Sequence, residues 1–357
     1  MTFQLLDKYI ISSFLRKLFN ILSVFVVIFL IVDIIDHIDK ILDYDITLYQ
    51  ISTLYIYSIP QYINIGFPMA MLIATVMTFT VLQKNNELTA LKASGVSIYR
   101  LTIPFIIMGM FFSASMFYFE NIVVTKSSTL KSDLEKNLFQ KRKKQKYRND
   151  NIIIQLNKKD IISMEKFDHR TKIAKNISIQ SFDNNLMLSR LDAKEMKWEN
   201  GLWNANEIIY RSFNSDSIFY SKPDSSLYIN LTAIDLIELN TKPSEMNYWA
   251  LLDFIEKLND NGKESRKWTV DLHFKTAFAF SNILMVIFGI SLSIRKPRSN
   301  LLTGVGLSIF TIFIYYLMIK TGQTMGYKGI VNPFFSVWSP NMIFLSTGLL
   351  LLYKTKT

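Results

Sequence analysis

The sequence predicts an α-helical membrane protein with six transmembrane helices and one all-β domain inserted between the third and the fourth. The observations that predict it are six long apolar runs and a single polar block over residues 121–271. A bilayer core about 30 Å thick needs roughly 20 apolar residues of helix to cross it. The runs, numbered here as spans one to six, are Leu18–Ile35, Ile59–Leu82, Leu101–Phe119, Thr276–Ile294, Leu301–Ile319 and Phe334–Leu352.

This pattern divides the chain into three parts. We expect the first membrane half over residues 1–122, the extramembrane domain with its flanking helices over 123–271, and the second membrane half over 272–357. Residues 1–17 are interpreted as an amphipathic helix at the membrane surface, because apolar side chains recur there at helical spacing. Cysteine is absent, which excludes disulfides, thiol nucleophiles and thiolate metal sites.

The distribution of lysine and arginine predicts the orientation of the spans. The net charge is +11, and in a membrane protein we interpret the bases as topology signals and headgroup contacts rather than as a nucleic-acid surface. Both termini and the loops after spans two and four are basic, so they are expected in the cytoplasm, with the large domain outside. The bases that decide this are Lys8, Arg16, Lys17, Lys84, Lys92, Arg100, Arg295, Lys296, Arg298, Lys354 and Lys356.

The polar block contains short β-branched runs separated by turn residues, which predict strands. Asn200 and Gly201 stand between two such runs and predict a tight hairpin. We therefore expect an all-β sandwich or open roll over residues 151–240, followed by a helix capped by Ser244 that continues to about Asn259. The clearest runs are Ile152–Leu156, Ile161–Met164, Ile177–Ile179 and Leu227–Leu231.

The loop between spans two and three predicts a helix of its own. Residues 86–95 read Asn-Glu-Leu-Thr-Ala-Leu-Lys-Ala-Ser-Gly, and we name this segment the connecting helix. Glu87 is favourable at a helix N-terminus, Gly95 supplies a left-handed stop, and Leu88 and Leu91 form one apolar face. Such a helix either docks into the groove of a partner or lies on the lipid headgroups, and the residues favour neither.

The outer end of span one carries ionisable residues. Asp33, Asp36, His37 and Lys40 are spaced i, i+3, i+4 and i+7, so they share one face of a helix. Charged residues inside a membrane point to ion-driven transport, here through a proton relay. These residues lie near the outer end of the span, however, where a gate or an ordinary interfacial cluster would carry the same residues. Two further ionisable side chains at outer span ends are interpreted as interfacial, namely Glu120 and Lys275.

Nothing in the sequence predicts catalysis on this chain. There is no GxxxxGK[ST] phosphate loop, no HExxH and no G-x-S-x-G. The three histidines are too far apart in sequence to form a metal-ligand pattern. We expect a non-catalytic subunit that binds no cofactor itself.

At these residues the chain resembles the lipopolysaccharide-export permease family, the LptF/LptG (YjgP/YjgQ) type, over essentially its whole length. The segment Glu87–Ser97 matches the family pattern E-[LI]-x-x-[ML]-x-A-x-G-x-[ST]. The N-terminal segment and the Ala-Ser-Gly of the connecting helix lean towards LptG. The other matching segments are Leu6-Asp-Lys-Tyr-Ile10, Phe67-Pro-Met-Ala70, Leu272-His273 and Arg295-Lys-Pro-Arg298.

The resemblance implies an ATP-driven transporter that extracts lipopolysaccharide from the bacterial inner membrane for transport to the outer membrane. It implies a jellyroll-like β domain in the periplasm and a heterodimer with a second LptF/LptG-type permease. An LptB-type cytoplasmic ATPase dimer would bind ATP and Mg, and an LptC-type periplasmic jellyroll protein would receive the lipid. By the family pattern Glu87 would meet basic residues of the ATPase, and the residues at its groove would be Leu88, Leu91, Ala93 and Gly95.

The resemblance also implies where the lipid passes. Spans one and five would form lateral gates, and basic residues near the outer end of span one and after span three would face the lipid phosphates. The corresponding positions here are Asp33, which has the opposite sign, together with Lys40 and Lys131, and Asp36 lies beside them. Two alternatives remain open, a proton-coupled lipid transporter that uses Asp33 and Asp36, and a membrane-anchored sensor or assembly factor.

Overall fold

The computed structural model divides into two compact units, which are described separately. The helical unit comprises Met1–Leu134, Ser244–Leu251 and Arg266–Thr357, and the β unit comprises Glu135–Pro243 and Leu252–Ser265. The residues that the structure describes are 5–39, 46–140, 148–155, 160–168, 171–183, 186–199, 202–214, 217–221, 226–227, 242–260, 264–295 and 301–354.

Six helices are long and apolar enough to cross a membrane, and they lie where the sequence predicts the six spans. The helices are α1 Leu5–Asp36, α2 Leu48–Lys84, α3 Glu87–Ala93, α4 Ile98–Phe119, α5 Thr125–Gln140, α6 Tyr248–Asp260, α7 Arg266–Arg295, α8 Leu301–Tyr327 and α9 Pro333–Tyr353. Span three, α4, continues through a π-helix, Glu120–Val124, into α5. The other spans are α1, α2, α7, α8 and α9, in chain order.

The amphipathic N-terminal segment is part of span one. The helix α1 begins at Leu5 and is unbroken to Asp36, so the predicted surface helix and the predicted span form one element. The sequence between these two residues contains neither glycine nor proline, which explains why nothing interrupts the helix.

Spans two and four form the centre of the helical unit. In each, 78% of the most apolar stretch is buried, against 11% in span one and 28% in span five. Small residues let these central helices approach closely: a Cβ atom added to Gly289 of span four would lie 2.9 Å from Cβ of Thr75 in span two. Among the described residues, nothing covers the outer faces of spans one and five, which are available to lipid or to another protein.

This close approach makes Gly289→Ala a destabilising change, although alanine is the better helix former. A Cβ contact of 2.9 Å forces span two or span four to shift, and such overpacking typically costs about 1–3 kcal/mol. Gly306→Ala in span five is the matched control, because no atom lies within 4 Å of its added Cβ. Thermal unfolding of the purified variants in detergent measures the difference, and equal midpoints for the two variants would contradict the expectation.

The described strands of the β unit form one seven-stranded antiparallel sheet. The strands are β1 Arg148–Gln155, β2 Asp160–Asp168, β3 Ile173–Asp183, β4 Leu186–Glu199, β5 Leu202–Asn214, β6 Ser217–Ser221 and β7 Ser226–Leu227. Strands β1 to β6 pair in chain order, and β7 pairs with β5. The predicted all-β domain is confirmed as a meandering sheet, and these strands do not form two stacked sheets.

Strands β4 and β5 form the hairpin that the sequence predicts. Glu199 faces Leu202 in the ladder, so the connection has two residues, and Asn200 and Gly201 themselves lie outside the described residues. In strand β5 of this hairpin, the side chain of Trp203 is fully buried and contacts the ring of Phe167 edge to face. Most of the predicted strand Leu227–Leu231 also lies outside the described residues.

The predicted cap of the helix after the β domain is wrong. Ser244 lies within a 3₁₀ turn, Pro243–Glu245, and the helix begins only at Tyr248. The side chain of Asn247 accepts a hydrogen bond of 2.8 Å from the backbone N–H of Ala250 and therefore caps the helix. Asparagine and serine cap helices about equally well, so residue preference alone could not choose between the two positions.

Candidate functional site

The connecting helix lies between spans two and three and exposes most of its residues. It runs over Glu87–Ala93, and two backbone hydrogen bonds of 3.0 Å close its last turn, from Val96 to Leu91 and from Gly95 to Lys92. This is the Schellman arrangement, and it needs a left-handed residue. Gly95 has φ +83°, so the predicted left-handed stop is confirmed.

Only part of the connecting helix faces outwards. Leu88 is 5% exposed and belongs to the apolar core of the helical unit, and Leu91 packs partly against the same core. Leu88 is thus already buried within this chain, which anchors the helix to the spans. The exposed surface of the segment consists of Thr89, Ala90, Lys92, Ala93, Ser94 and Gly95.

Glu87 begins the connecting helix and is half-buried. Its carboxylate accepts a hydrogen bond of 2.9 Å from the side-chain amide of Asn85 and one of 3.2 Å from the hydroxyl of Tyr9 in span one. A carboxylate offers about four acceptor positions. It therefore keeps capacity for a basic group of a partner while its orientation is fixed by this chain.

An ion pair between a buried carboxylate and a half-buried guanidinium lies beside the connecting helix. The guanidinium of Arg100 donates two hydrogen bonds, of 2.9 and 2.8 Å, to the two carboxylate oxygens of Asp7. Asp7 is only 4% exposed. The sequence analysis used Arg100 only as a topology signal and missed this pair. One signal was available, because Asp7 is the one acidic residue among the first 32 residues of the chain.

At the opposite end of the helical unit, two charged residues are buried against each other. The ammonium of Lys275 in span four lies 3.2 Å from a carboxylate oxygen of Glu120 in span three, and the residues are 4% and 9% exposed. The prediction that both are interfacial is wrong. Glu120 opens the π-helix Glu120–Val124, whose extra residue per turn changes which side chains face the neighbouring spans.

The same π-helix fixes the chain where it returns to the helical unit. The side-chain oxygen of Asn121 accepts a hydrogen bond of 2.6 Å from the backbone N–H of Tyr248, and its amide donates to the carbonyl of Phe117 at 2.8 Å. Asn121 thus ties the first residue of α6 to the end of span three.

A second polar network joins spans four and five at this end. The carboxylate of Asp271 accepts hydrogen bonds from the amide of Gln323, at 3.0 Å, and from the hydroxyl of Tyr327. The ammonium of Lys320 donates to Gln323 at 3.2 Å and lies 5.4 Å from the ring centre of Phe274. Sequence reasoning missed this network because its members are about 50 positions apart in the chain.

The residues predicted to meet substrate are only partly brought together. His37 lies 3.5 Å from the carboxylate of Asp33, and both are half-buried, whereas Asp36 is exposed. Lys131 is half-buried on α5, away from the end of the helix. Lys40 lies outside the described residues.

The β unit carries an open cavity of about 920 Å³ across strands β2 to β5. A polar row crosses it: the amide of Asn176 donates to Glu165, and Lys194 lies 3.2 Å from Glu207. The hydrogen bond from Asn176, with a further one from Lys166, holds the pKa of the Glu165 carboxyl below its usual value. Asn176 and Glu207 have positive φ angles of 52° and 53°, so the regular pairing of the strands is interrupted along this row.

The whole-chain comparison agrees with the resemblance noted in the sequence. Residues 8–354 match the model of the family described as "Lipopolysaccharide export system permease LptF/LptG". A search of the curated proteins finds no match. The family match covers both membrane halves, the β unit and the connecting helix.

Proposed function

This chain belongs to the lipopolysaccharide export permease family LptF/LptG, and from that premise we propose that it is the membrane subunit of an ATP-driven exporter. It extracts lipopolysaccharide from the inner membrane for transport to the outer membrane. The family match supports lipopolysaccharide as the substrate. The connecting helix, with its exposed outer surface and its fixed carboxylate at Glu87, supports the coupling to a separate ATPase.

Energy enters through the connecting helix. An LptB-type ATPase dimer binds ATP and Mg and presents basic residues to Glu87, while Leu91 and the exposed Ala93 and Gly95 lie at the contact. Leu88 supports the contact from inside, because its side chain anchors the helix to the core of the spans. Hydrolysis moves the connecting helix as a rigid body, and spans two and three carry that motion to the lipid cavity.

The cavity forms between two permeases. Spans one and five are the helices with the least burial among the described spans, which supports a second LptF/LptG-type permease against these faces and lateral gates between the subunits. The β unit passes the lipid to an LptC-type periplasmic protein. The N-terminal motif and the Ala-Ser-Gly of the connecting helix favour LptG over LptF as the role of this chain.

The orientation follows from the same assignment. The ATPase is cytoplasmic, so the connecting helix and both termini face the cytoplasm and the β unit faces the periplasm, in agreement with the basic loops. The chain itself is non-catalytic, with nucleotide and metal bound by its partner. Among the described residues, no group of three His, Asp or Glu side chains is placed to hold a metal ion.

The lipid phosphates meet the outer end of the spans. Lys131 and Lys40 are the bases that we assign to this contact, with Asp36 beside them. Asp33 cannot attract a phosphate directly, but its contact with His37 places an imidazole at the same point. The outer end of the spans therefore carries acidic as well as basic side chains, rather than basic ones alone.

Purification of the intact complex tests the proposal. We expect the chain, extracted from its native membrane in a mild detergent, to carry with it a second six-span permease and a soluble ATPase that hydrolyses ATP. Mass spectrometry identifies the copurifying chains, and a phosphate-release assay measures hydrolysis. Isolation of the chain alone under several gentle extraction conditions, with lipid transport driven by a proton gradient, would contradict the proposal and favour the proton-coupled alternative.

A further inference from the structure

Span one contacts the chain on both sides of the connecting helix. Tyr9 of α1 donates a hydrogen bond to Glu87, the first residue of the connecting helix. Two positions earlier in α1, Asp7 binds Arg100, which lies in the first turn of α4, directly after the connecting segment. The whole connecting helix thus lies between two contacts with one turn of α1. We name these four residues the span-one clamp.

The Asp7–Arg100 half of the clamp is built to persist. Two parallel charge-assisted hydrogen bonds restrain both the distance and the orientation of the two groups. Asp7 is 4% exposed, and removing the guanidinium from a buried carboxylate is strongly unfavourable. The two helices are also packed beyond the pair, since the rings of Phe14 and Phe105 meet edge to face at 5.3 Å.

The other half of the clamp is weaker and lies at the surface. Tyr9 is 53% exposed, and its hydroxyl is a neutral donor to a carboxylate that Asn85 also holds. This contact fixes the direction of Glu87 rather than the packing of the helices. It therefore links span one to the residue that we assign to the ATPase contact.

Span one can transmit a displacement along its full length. The helix has 32 residues, about 48 Å at 1.5 Å per residue. It contains neither glycine nor proline between Leu5 and Asp36, and sharp bends in helices arise mostly at those residues. A tilt imposed at Asp7 consequently reaches Asp33 at the other end.

We propose that the span-one clamp makes span one a direct output of the connecting helix, with Asp7, Tyr9 and Arg100 as positioning residues for coupling. This rests on the proposed function and adds to it a route of transmission that enters span one directly, from Glu87 of the connecting helix and from Arg100 in the first turn of span three. In the part of the chain that the structure describes, span one also has the least buried apolar stretch of the six spans. Under this proposal span one moves together with the connecting helix, and span one is also the helix whose surface meets lipid or the second permease.

The test measures ATP hydrolysis and lipid release in the same sample. The purified complex is reconstituted into vesicles that contain lipopolysaccharide, with variants Asp7→Asn, Arg100→Gln, the double variant and Tyr9→Phe. Coupling between sites typically amounts to about a 5- to 150-fold effect, so we expect the lipid released per ATP hydrolysed to fall at least about fivefold in Asp7→Asn. Lys8→Gln, an exposed neighbour on the same turn, serves as the control and should match the unaltered complex.

The double variant and Tyr9→Phe separate coupling from folding. If the pair acts as one unit, Asp7→Asn/Arg100→Gln is no worse than either single change. Tyr9→Phe removes one exposed hydroxyl and keeps the ring, so the complex still assembles while release per ATP falls. A loss of assembled complex with unchanged release per ATP in what remains would show a merely structural role and overturn the inference.

A distance measurement provides a second readout. The chain has no cysteine, so nitroxides can be placed at exposed positions 35 and 330 as the only labels on it. We expect a trapped ATP analogue to change their separation in the complex, and Asp7→Asn to abolish that change. If the unaltered complex exports lipid and the variants export equally well, only this inference is overturned. If the unaltered complex shows no ATP-driven release of lipid, the proposed function is overturned as well.

Discussion

Glu87→Lys is expected to abolish ATP-driven export while the chain still folds and inserts. The proposed contact joins this carboxylate to basic residues of the ATPase, and reversal of the charge turns attraction into repulsion. The cost to the chain itself is small, because a favourable acid in the first turn of a helix contributes only about 0.3–1 kcal/mol. Leu88 and the Schellman turn at Gly95 continue to hold the connecting helix in place.

Two readouts distinguish uncoupling from unfolding. The amount of Glu87→Lys protein in the membrane and its elution from a size-exclusion column should equal those of the unaltered chain, while copurifying ATPase and lipid export are lost. Glu87→Gln should be intermediate, because the amide still accepts the hydrogen bond from Tyr9 but carries no charge. Glu256→Lys is the matched control, the same charge reversal at an exposed glutamate of α6, and it should leave export unchanged. Normal export by Glu87→Lys would contradict the proposed coupling.

Features that depend on neighbouring residues in the chain could be predicted from sequence. The six spans follow from runs of apolar residues, the β4–β5 hairpin from Asn-Gly between strand patterns, and the end of the connecting helix from Gly95. Each of these signals is local, and each states a requirement that water, lipid or backbone sterics impose on that segment alone. The match to the family over residues 8–354 confirms that the signals also occur in the right order.

Features that depend on which helices meet could not be predicted. Asp7 and Arg100 are 93 positions apart, and nothing in either segment specifies the other. Lys275 and Glu120 read as interfacial because each stands at the end of an apolar run. A π-helix leaves no clear mark in the sequence, so the register that turns Glu120 inwards is visible only in the folded chain.

The structure also changes which face of the connecting helix matters. An apolar face of two leucines is compatible with a partner's groove and equally with the helix's own spans, and periodicity cannot separate the two. Burial does so: Leu88 faces inwards, and the outer surface is formed by small and charged residues such as Ala93 and Lys92. In the contact that we propose with the ATPase, recognition would consequently depend more on Glu87 and on close approach over small side chains than on an inserted leucine.

Removal of the Lys275 charge is expected to cause the largest loss of stability. Lys275 and Glu120 are both at least 90% buried, and their charged atoms lie 3.2 Å apart. When one partner of a buried pair is removed, the other loses its compensating charge without regaining water, which typically costs about 3–5 kcal/mol. Lys275→Met keeps most of the side-chain volume, so the loss would come from the charge rather than from a cavity.

The double variant Glu120→Met/Lys275→Met provides the decisive comparison. Replacement of a buried pair by apolar residues of similar size is often neutral or stabilising, so the double variant should unfold at a temperature near that of the unaltered chain. The single variants Lys275→Met and Glu120→Met should both unfold earlier. Lys267→Met, an exposed lysine on the same helix, controls for the loss of a positive charge and should have no effect.

Thermal unfolding in detergent measures these four variants, and export in the reconstituted complex measures what the pair does beyond stability. If the double variant is stable but exports poorly, the ion pair is needed for movement between spans three and four and not only for their packing. If the double variant is stable and exports normally, the ion pair serves only to specify how spans three and four pack against each other. Single variants as stable as the unaltered chain would show that water reaches the two charges, and the pair would then be no tighter than one at the membrane surface.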